Sequence, residues 1–206
     1  RKVLNPFAKE FSSRFSTDRR SRNNGSLPDF KLDHLVQVGD SAYALVAEQF
    51  LLDEICYQDF RTGMTTCNYI YNFNNIVVVK LNAEGHIEWT ADIPKFQETA
   101  NDGGRYSSYV FAQNKQRMYF VFNDNAANAQ LEDERRIAVM NNVQRAVPVL
   151  VSLDKEGHYS RTSLGAERRN KFLMIPSNGS QISPRSALLV GVSSNKYKIG
   201  IVSLPE

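Results

Sequence analysis

The sequence predicts an all-β fold built from repeated four-stranded antiparallel units. Three observations carry that expectation: a near-repeat of thirteen residues, apolar residues in strand-like patterns, and turn residues at the breaks. The near-repeat sets "VVVKLNAEGHIEW" (Val77 to Trp89) against "VLVSLDKEGHYSR" (Val149 to Arg161), and Glu84-Gly85-His86 returns 72 positions later as Glu156-Gly157-His158. Self-similarity at a fixed period is the mark of a repeat architecture. Aligning the chain on itself brings "SAYALVAEQF" (Ser41 to Phe50), "QRMYFVFNDN" (Gln116 to Asn125) and "RSALLVGVSS" (Arg185 to Ser194) together. Each precedes an anchor, "NIVVVKLNAEG", "VPVLVSLDKEG" or "KYKIGIVSLPE", so one repeat spans about 70 residues.

In chain order, residues 1–28 come first, and "RKVLNPFAKEF" is read as a strand belonging to a preceding unit. A polar linker from Ser16 to Pro28 follows, holding the only dense basic run, Arg19-Arg20-Ser21-Arg22. No aromatic residue is interleaved with that run, which fits a solvated linker better than a phosphate-binding patch. Residues 29–206 form the repeats, at 29–95, 106–164 and 171–206. The first unit has strands at His34 to Val38, Ala42 to Leu51, Ile76 to Leu81 and His86 to Ala91. The second has Tyr109 to Gln113, Met118 to Asn123, Val147 to Leu153 and His158 to Thr162. The third offers Phe172 to Ile175, Ala187 to Val192 and Lys198 to Val202, one strand short. In each, apolar residues alternate or form short β-branched runs bounded by Gly, Asn, Asp and Pro.

Asn82 to Gly85 and Asp154 to Gly157 read as hairpin turns, with Asn or Asp bonding its own backbone and Gly taking the left-handed conformation. His86 and His158 then leave the turns, and no second ligand at metal spacing accompanies them, so no metal is expected. Four-stranded units in a row follow the blade logic of a β-propeller. About two and three-quarter blades are present, whereas closed rings use about four to eight. The rest of the ring is therefore expected from a missing N-terminal part or from a partner.

Composition narrows the function. With 206 residues, 42% of them hydrophobic, and 25 basic against 22 acidic residues, the chain is an ordinary globular one without a charge bias toward nucleic acid. No apolar stretch reaches the roughly 18 to 20 residues of a membrane-spanning helix. The chain begins at Arg1 with no signal segment, from which removal of a leader or a larger N-terminal portion is expected. No G-x-S-x-G elbow, H-E-x-x-H pair, P-loop or C-x-x-C occurs. Glu48, Asp53, Glu54 and Asp102 read as solvated strand ends and turns rather than an acid–base pair. Neither a catalytic residue nor a cofactor is expected.

Taken in order, "ALVAEQF", "YNFNNIVVVKLNAEGHIEWTADIPKFQ", "NDGGRYSSY" and "MYFVFNDN" resemble a group of bacterial cell-envelope proteins with propeller-like repeats and no assigned activity. The likeness covers about Asp29 to Leu204. It implies secretion and an additional N-terminal half in longer members. A weaker likeness, to quinoprotein-type propellers, rests on Gly85 and Trp89, but Arg161 replaces the Trp in the second repeat. Trp89 is accordingly read as a packing residue between units.

Cys56 and Cys67 flank "YQDFRTGMTT" in the long connection after the second strand. Folded as a hairpin about Arg61 to Met64, that connection pairs residue i with 123 − i and places the two cysteines opposite each other. Opposed Cβ atoms lie about 4.5 to 5.5 Å apart, within reach of a disulfide. A bridge there fits an oxidising compartment, secreted, periplasmic or at the outer membrane. The connections Leu52 to Asn75, Asn125 to Ala146 and Pro94 to Ser107 should emerge on one rim. "NAQLEDERRIAVMNNVQ" is read either as a short helix, with Leu131, Ile137 and Met140 on one side, or as a polar loop. Long loops on a rigid scaffold commonly carry binding. Tyr57, Phe60, Tyr69, Tyr71, Arg105 and Tyr106 are the candidate binding residues. The expected function is a non-catalytic scaffold holding a protein or carbohydrate. The alternatives are a glycan hydrolase or lyase with its site in the ring channel, and a structural subunit of an envelope complex.

Overall fold

The computed structural model describes residues 2–15, 27, 29–130, 136–165, 172–194 and 196–205. The basic run Arg19 to Arg22 and most of its linker lie outside them. The described chain is mostly β-strand, arranged in three open antiparallel sheets. The first comprises β1 (Phe30–Val38), β2 (Ala42–Gln58), β3 (Thr65–Leu81), β4 (Ile87–Ile93) and β5 (Gln97–Ala100). Strands β1 to β4 run in sequence order, and β5 continues the ladder on β3 beyond β4. The second sheet is β6 (Val110–Gln113), β7 (Met118–Asn125), β8 (Ala146–Leu153) and β9 (Tyr159–Ser163), again in sequence order. The third contains β10 (Leu173–Met174), β11 (Ser180–Ser183), β12 (Ser186–Ser193) and β13 (Lys196–Ser203). Here β12 is central, with β13 on one edge and β10 and β11 sharing the other.

The sheets stack face to face in chain order. Ala44, Val46, Ile76, Val78 and Ile93 of the first sheet pack against Met118, Phe120, Phe122, Val149 and Val151 of the second. The opposite face of the second sheet, including Val110, Tyr119, Val121 and Leu150, meets Met174, Ala187, Leu189 and Val202 of the third. A strand covered on both sides needs apolar side chains at every position rather than every other one, which explains the uninterrupted burial of "MYFVFND" in β7.

Both hairpin turns form as expected. The Asn82 carboxamide oxygen accepts from the Glu84 and His86 amides, Asp154 does the same for Glu156 and His158, and Gly85 and Gly157 have φ of 87° and 90°. Trp89 joins two units: its indole N–H donates to the Lys155 carbonyl at 2.8 Å, and its ring packs against Gly157 in the matching turn.

Three expectations need correction. The first segment is not extended throughout, because Lys9–Ser12 form a short helix α1. Phe11 lies on this helix, with Phe7 just before it and Phe15 in the turn after it. Phe7 stacks on Phe11, Phe15 meets Phe11 edge to face, and the three rings cover Val77, Val79 and Leu81 of the first sheet. The opening strand of the third unit does not run from Phe172 to Ile175 but is split. Pro176, which has no amide hydrogen to donate, opens a 3₁₀ turn at Pro176–Asn178, and the strand resumes as β11. In the segment after β7, 3₁₀ turns occupy Ala126–Gln130 and Val143–Arg145. Met140, in a segment read either as a short helix or as a polar loop, is extended and buried, exchanging backbone hydrogen bonds with Phe96 and Glu98. Leu131 lies outside the described residues.

Candidate functional site

Strands β2 and β3 continue past the body of the first sheet as a two-stranded arm. Its register runs from Phe50↔Phe73 to Gln58↔Thr65, so every pair obeys the expected sum of 123. The tip turns because Asp59 accepts from the Arg61 and Thr62 amides through its carboxylate, which holds its pKa below the usual range, while Gly63 has φ 70°. Cys56 and Cys67 sit directly opposite, with Cα atoms 4.0 Å apart and a disulfide bond of 2.05 Å. Their sulfurs, although close to Glu54, are committed to that bond and offer no thiolate to a metal. Alternation puts Tyr69 and Tyr71 on the disulfide face and Tyr57 on the other. Tyr69 donates to Glu54 at 3.1 Å, and this bond raises its pKa. Phe60, at the tip, is 98% exposed. Tyr57 and Met64 are also largely exposed.

Beneath the arm lies a polar network sealed between sheets. In "ADIPKFQET" the inward phase runs Ile93, Lys95, Gln97, Thr99, so the alternation carries across the break between β4 and β5 and buries Lys95. Its ammonium donates to the Phe73 carbonyl at 2.7 Å and to Gln97 Oε1 at 2.8 Å, and lies 2.7 Å from Glu48 Oε1. Burial lowers the Lys95 pKa, and Glu48 opposes that shift. Ser108 donates to the other Glu48 oxygen. A second ion pair joins Arg161 to Asp124 at 2.6 Å, with Arg161 also reaching the Pro94 carbonyl. Burial raises the Asp124 pKa despite Arg161. Lys95 is 0% exposed and Glu48 is buried with it, so this pair is closed off from solvent. Glu48, read from sequence as a solvated strand end, is in fact buried there.

The network fixes the segment between β4 and β6. Asn101 accepts from the Tyr69 amide through its side chain, binding this segment to the arm. Gly104 has φ 70°, and a Cβ there would fall 2.6 Å from the Phe73 ring. Asn123 of β7 donates to the carbonyls of Tyr106 and Met174, tying Tyr106 to the third sheet. All three long connections thus meet on one rim, as expected, since Gln97 also bridges to Met140.

On that rim Tyr106 lines a pocket of about 290 Å³ with Gln144, Phe172, Val192, Ser193 and Ser194. Arg105 donates to the Tyr197 hydroxyl at 2.9 Å, its guanidinium 5.5 Å from the Tyr106 ring centre and 6.0 Å from that of Tyr197. The six candidate residues therefore fall into two groups: Tyr57, Phe60, Tyr69 and Tyr71 on the arm, and Arg105 with Tyr106 beside the pocket. Sequence reasoning missed Tyr197, Phe172 and Gln144, which come from distant segments and share no motif. Fold and site together define an all-β, sheet-stacked protein with a disulfide-tied arm. No protein-family model matches the chain, and no curated protein is similar to it.

Proposed function

We propose that the chain is part of a β-propeller that serves as a non-catalytic scaffold in a secreted or envelope setting and captures a protein or glycan through its long-loop rim. The arm carries this reading: a bridged hairpin that holds Tyr57, Phe60 and Met64 out in solvent. Exposed aromatic residues on a stiff support lose little conformational freedom on binding and make strong anchors. The disulfide supports an oxidising compartment. Among the described residues no helix is long and apolar enough to cross a membrane. Ring assembly is supported by the face-to-face stack of three antiparallel sheets.

The test is capture from a bacterial envelope fraction and from a glycan panel, comparing the chain with a Tyr57→Ala/Phe60→Ala variant. A companion or glycan held in stoichiometric amount by the first and lost by the second is the expected result. Equal retention by both would remove the arm from the function.

A further inference from the structure

Beside the rim pocket, against the Tyr106 ring that lines it, Arg105 has a feature of a ligand site that the arm does not share. A guanidinium presents five N–H donors in a planar fork matched to a carboxylate. Among the described residues Arg105 uses that fork for one hydrogen bond, to the Tyr197 hydroxyl, and has no carboxylate partner. The Tyr106 and Tyr197 rings hold it in place without neutralising it. A cation so placed is pre-arranged for an anion it does not yet have.

The pocket beside it limits what else that anion carries. Its volume, about 290 Å³, sits at the low end for small-molecule sites and suits a single ring-sized unit. The lining residues include the aromatic Tyr106 and Phe172, the amide-bearing Gln144 and the hydroxyl-bearing Ser193 and Ser194. Flat apolar faces beside hydroxyl and amide groups match a sugar, which has an apolar ring face and a polar circumference. An extended peptide fits less well, because β12 is already paired on both sides here, to Leu173 through Val192 and to β13. Strand β12 itself therefore offers no edge for main-chain pairing at the pocket.

We propose that this pocket binds one acidic sugar unit, its carboxylate on Arg105 and its ring between Tyr106 and Phe172. The site takes the unit from a free uronic acid or from an acidic polysaccharide. The proposal rests on the reading of this rim as a binding surface, but it concerns residues distinct from the arm, so either can fail alone.

The experiment is titration calorimetry on the chain with glucuronate, glucose, an oligogalacturonate, and an acidic peptide as a probe of the other ligand class. The acidic sugars should bind at least tenfold tighter than glucose, and rising salt should weaken them. Tighter binding of the oligomer than of the monomer identifies the polysaccharide as the source, and equal binding identifies the free acid. Arg105→Gln should abolish the tenfold preference, and Gln144→Trp, which fills the pocket from an exposed turn, should abolish binding of both sugars. Phe60→Ala should leave sugar binding unchanged while removing capture by the arm. Unchanged folding of each variant is checked by circular dichroism. No sugar binding, equal affinity for acidic and neutral sugars, an Arg105→Gln variant that still prefers the acid, or a preference for the peptide would each overturn the proposal.

Discussion

Lys95 shows at the scale of one residue how the chain trades solvation for definition. Its charge is paid for by Glu48, two acceptors and the faces of Phe73 and Phe122, so removing the ammonium leaves a buried carboxylate with no counter-charge. Breaking such a pair costs about 3–5 kcal/mol, whereas replacing both partners costs far less. Lys95→Met should therefore lower stability in urea by about that amount, and adding Glu48→Gln should recover a clear part of it. A double variant no more stable than the single one would refute the pairing. His34 gives a second residue-scale test. It stacks on Phe111 at 4.5 Å, and burial lowers its pKa below 6.5, with Asp33 opposing and Lys31 adding to the shift. The unfolded chain then binds more protons than the folded one in the window just below pH 6.5. His34 favours folding above that window, and its contribution is lost as pH falls through the folded pKa. His34→Phe should accordingly show a shallower acid loss of stability between pH 7.5 and 5 than the parent, measured by urea midpoints at each pH.

The arm, as an element, has few buried apolar neighbours beyond Phe50 and Phe73, so its stability is separate from that of the stack. The disulfide restricts the unfolded arm, a constraint worth about 2–3 kcal/mol for a short loop. In a Cys56→Ser/Cys67→Ser variant this loss should fall on the arm alone. Amides from Asp53 to Tyr69 should exchange faster and a protease should cut near Phe60, while the thermal midpoint of the sheets moves by no more than a degree or two. A large drop in that midpoint would show the arm to be part of the core. The arm's register was readable from sequence because two cysteines and one glycine leave a single symmetric pairing. Strands of the first two units were readable from their apolar phase. The short N-terminal helix was missed because it spans only Lys9–Ser12 and repeat logic favoured a strand. Lys95 was missed because charge argues for exposure, and only the phase from Ile93 to Thr99 argues against it. The pocket could not be read at all, since it joins residues 106, 144, 172 and 192–194 through stacking rather than sequence.

For the whole molecule the repeat alignment becomes a test of packing. Ile76 and Val78 in β3 face the second sheet and are fully buried, and of their counterparts in β8 Pro148 is buried and Leu150 packs against the third sheet. The matching positions in β13 are Tyr197 and Ile199, which are 68% and 71% exposed, with Ile201 beside them at 68%. Leu188 and Val190 of β12 share that face, because they pair with Ile201 and Ile199. At the other end of the stack, the equivalent need is met by Phe7, Phe11 and Phe15. Among the described residues one end of the stack is thus capped, while the other exposes Ile199 and Ile201 beside Tyr197. The same substitution should consequently have opposite effects at equivalent sites. Val78→Lys buries an unpaired charge between two sheets and should cost about 4 kcal/mol or more, enough to prevent folding. An Ile199→Lys/Ile201→Lys variant should fold with an unchanged urea midpoint, bind less of a hydrophobic dye and stay dispersed at higher concentration. Comparable destabilisation by both would mean that the third sheet already has its cover, and that the sheets do not repeat one packing scheme.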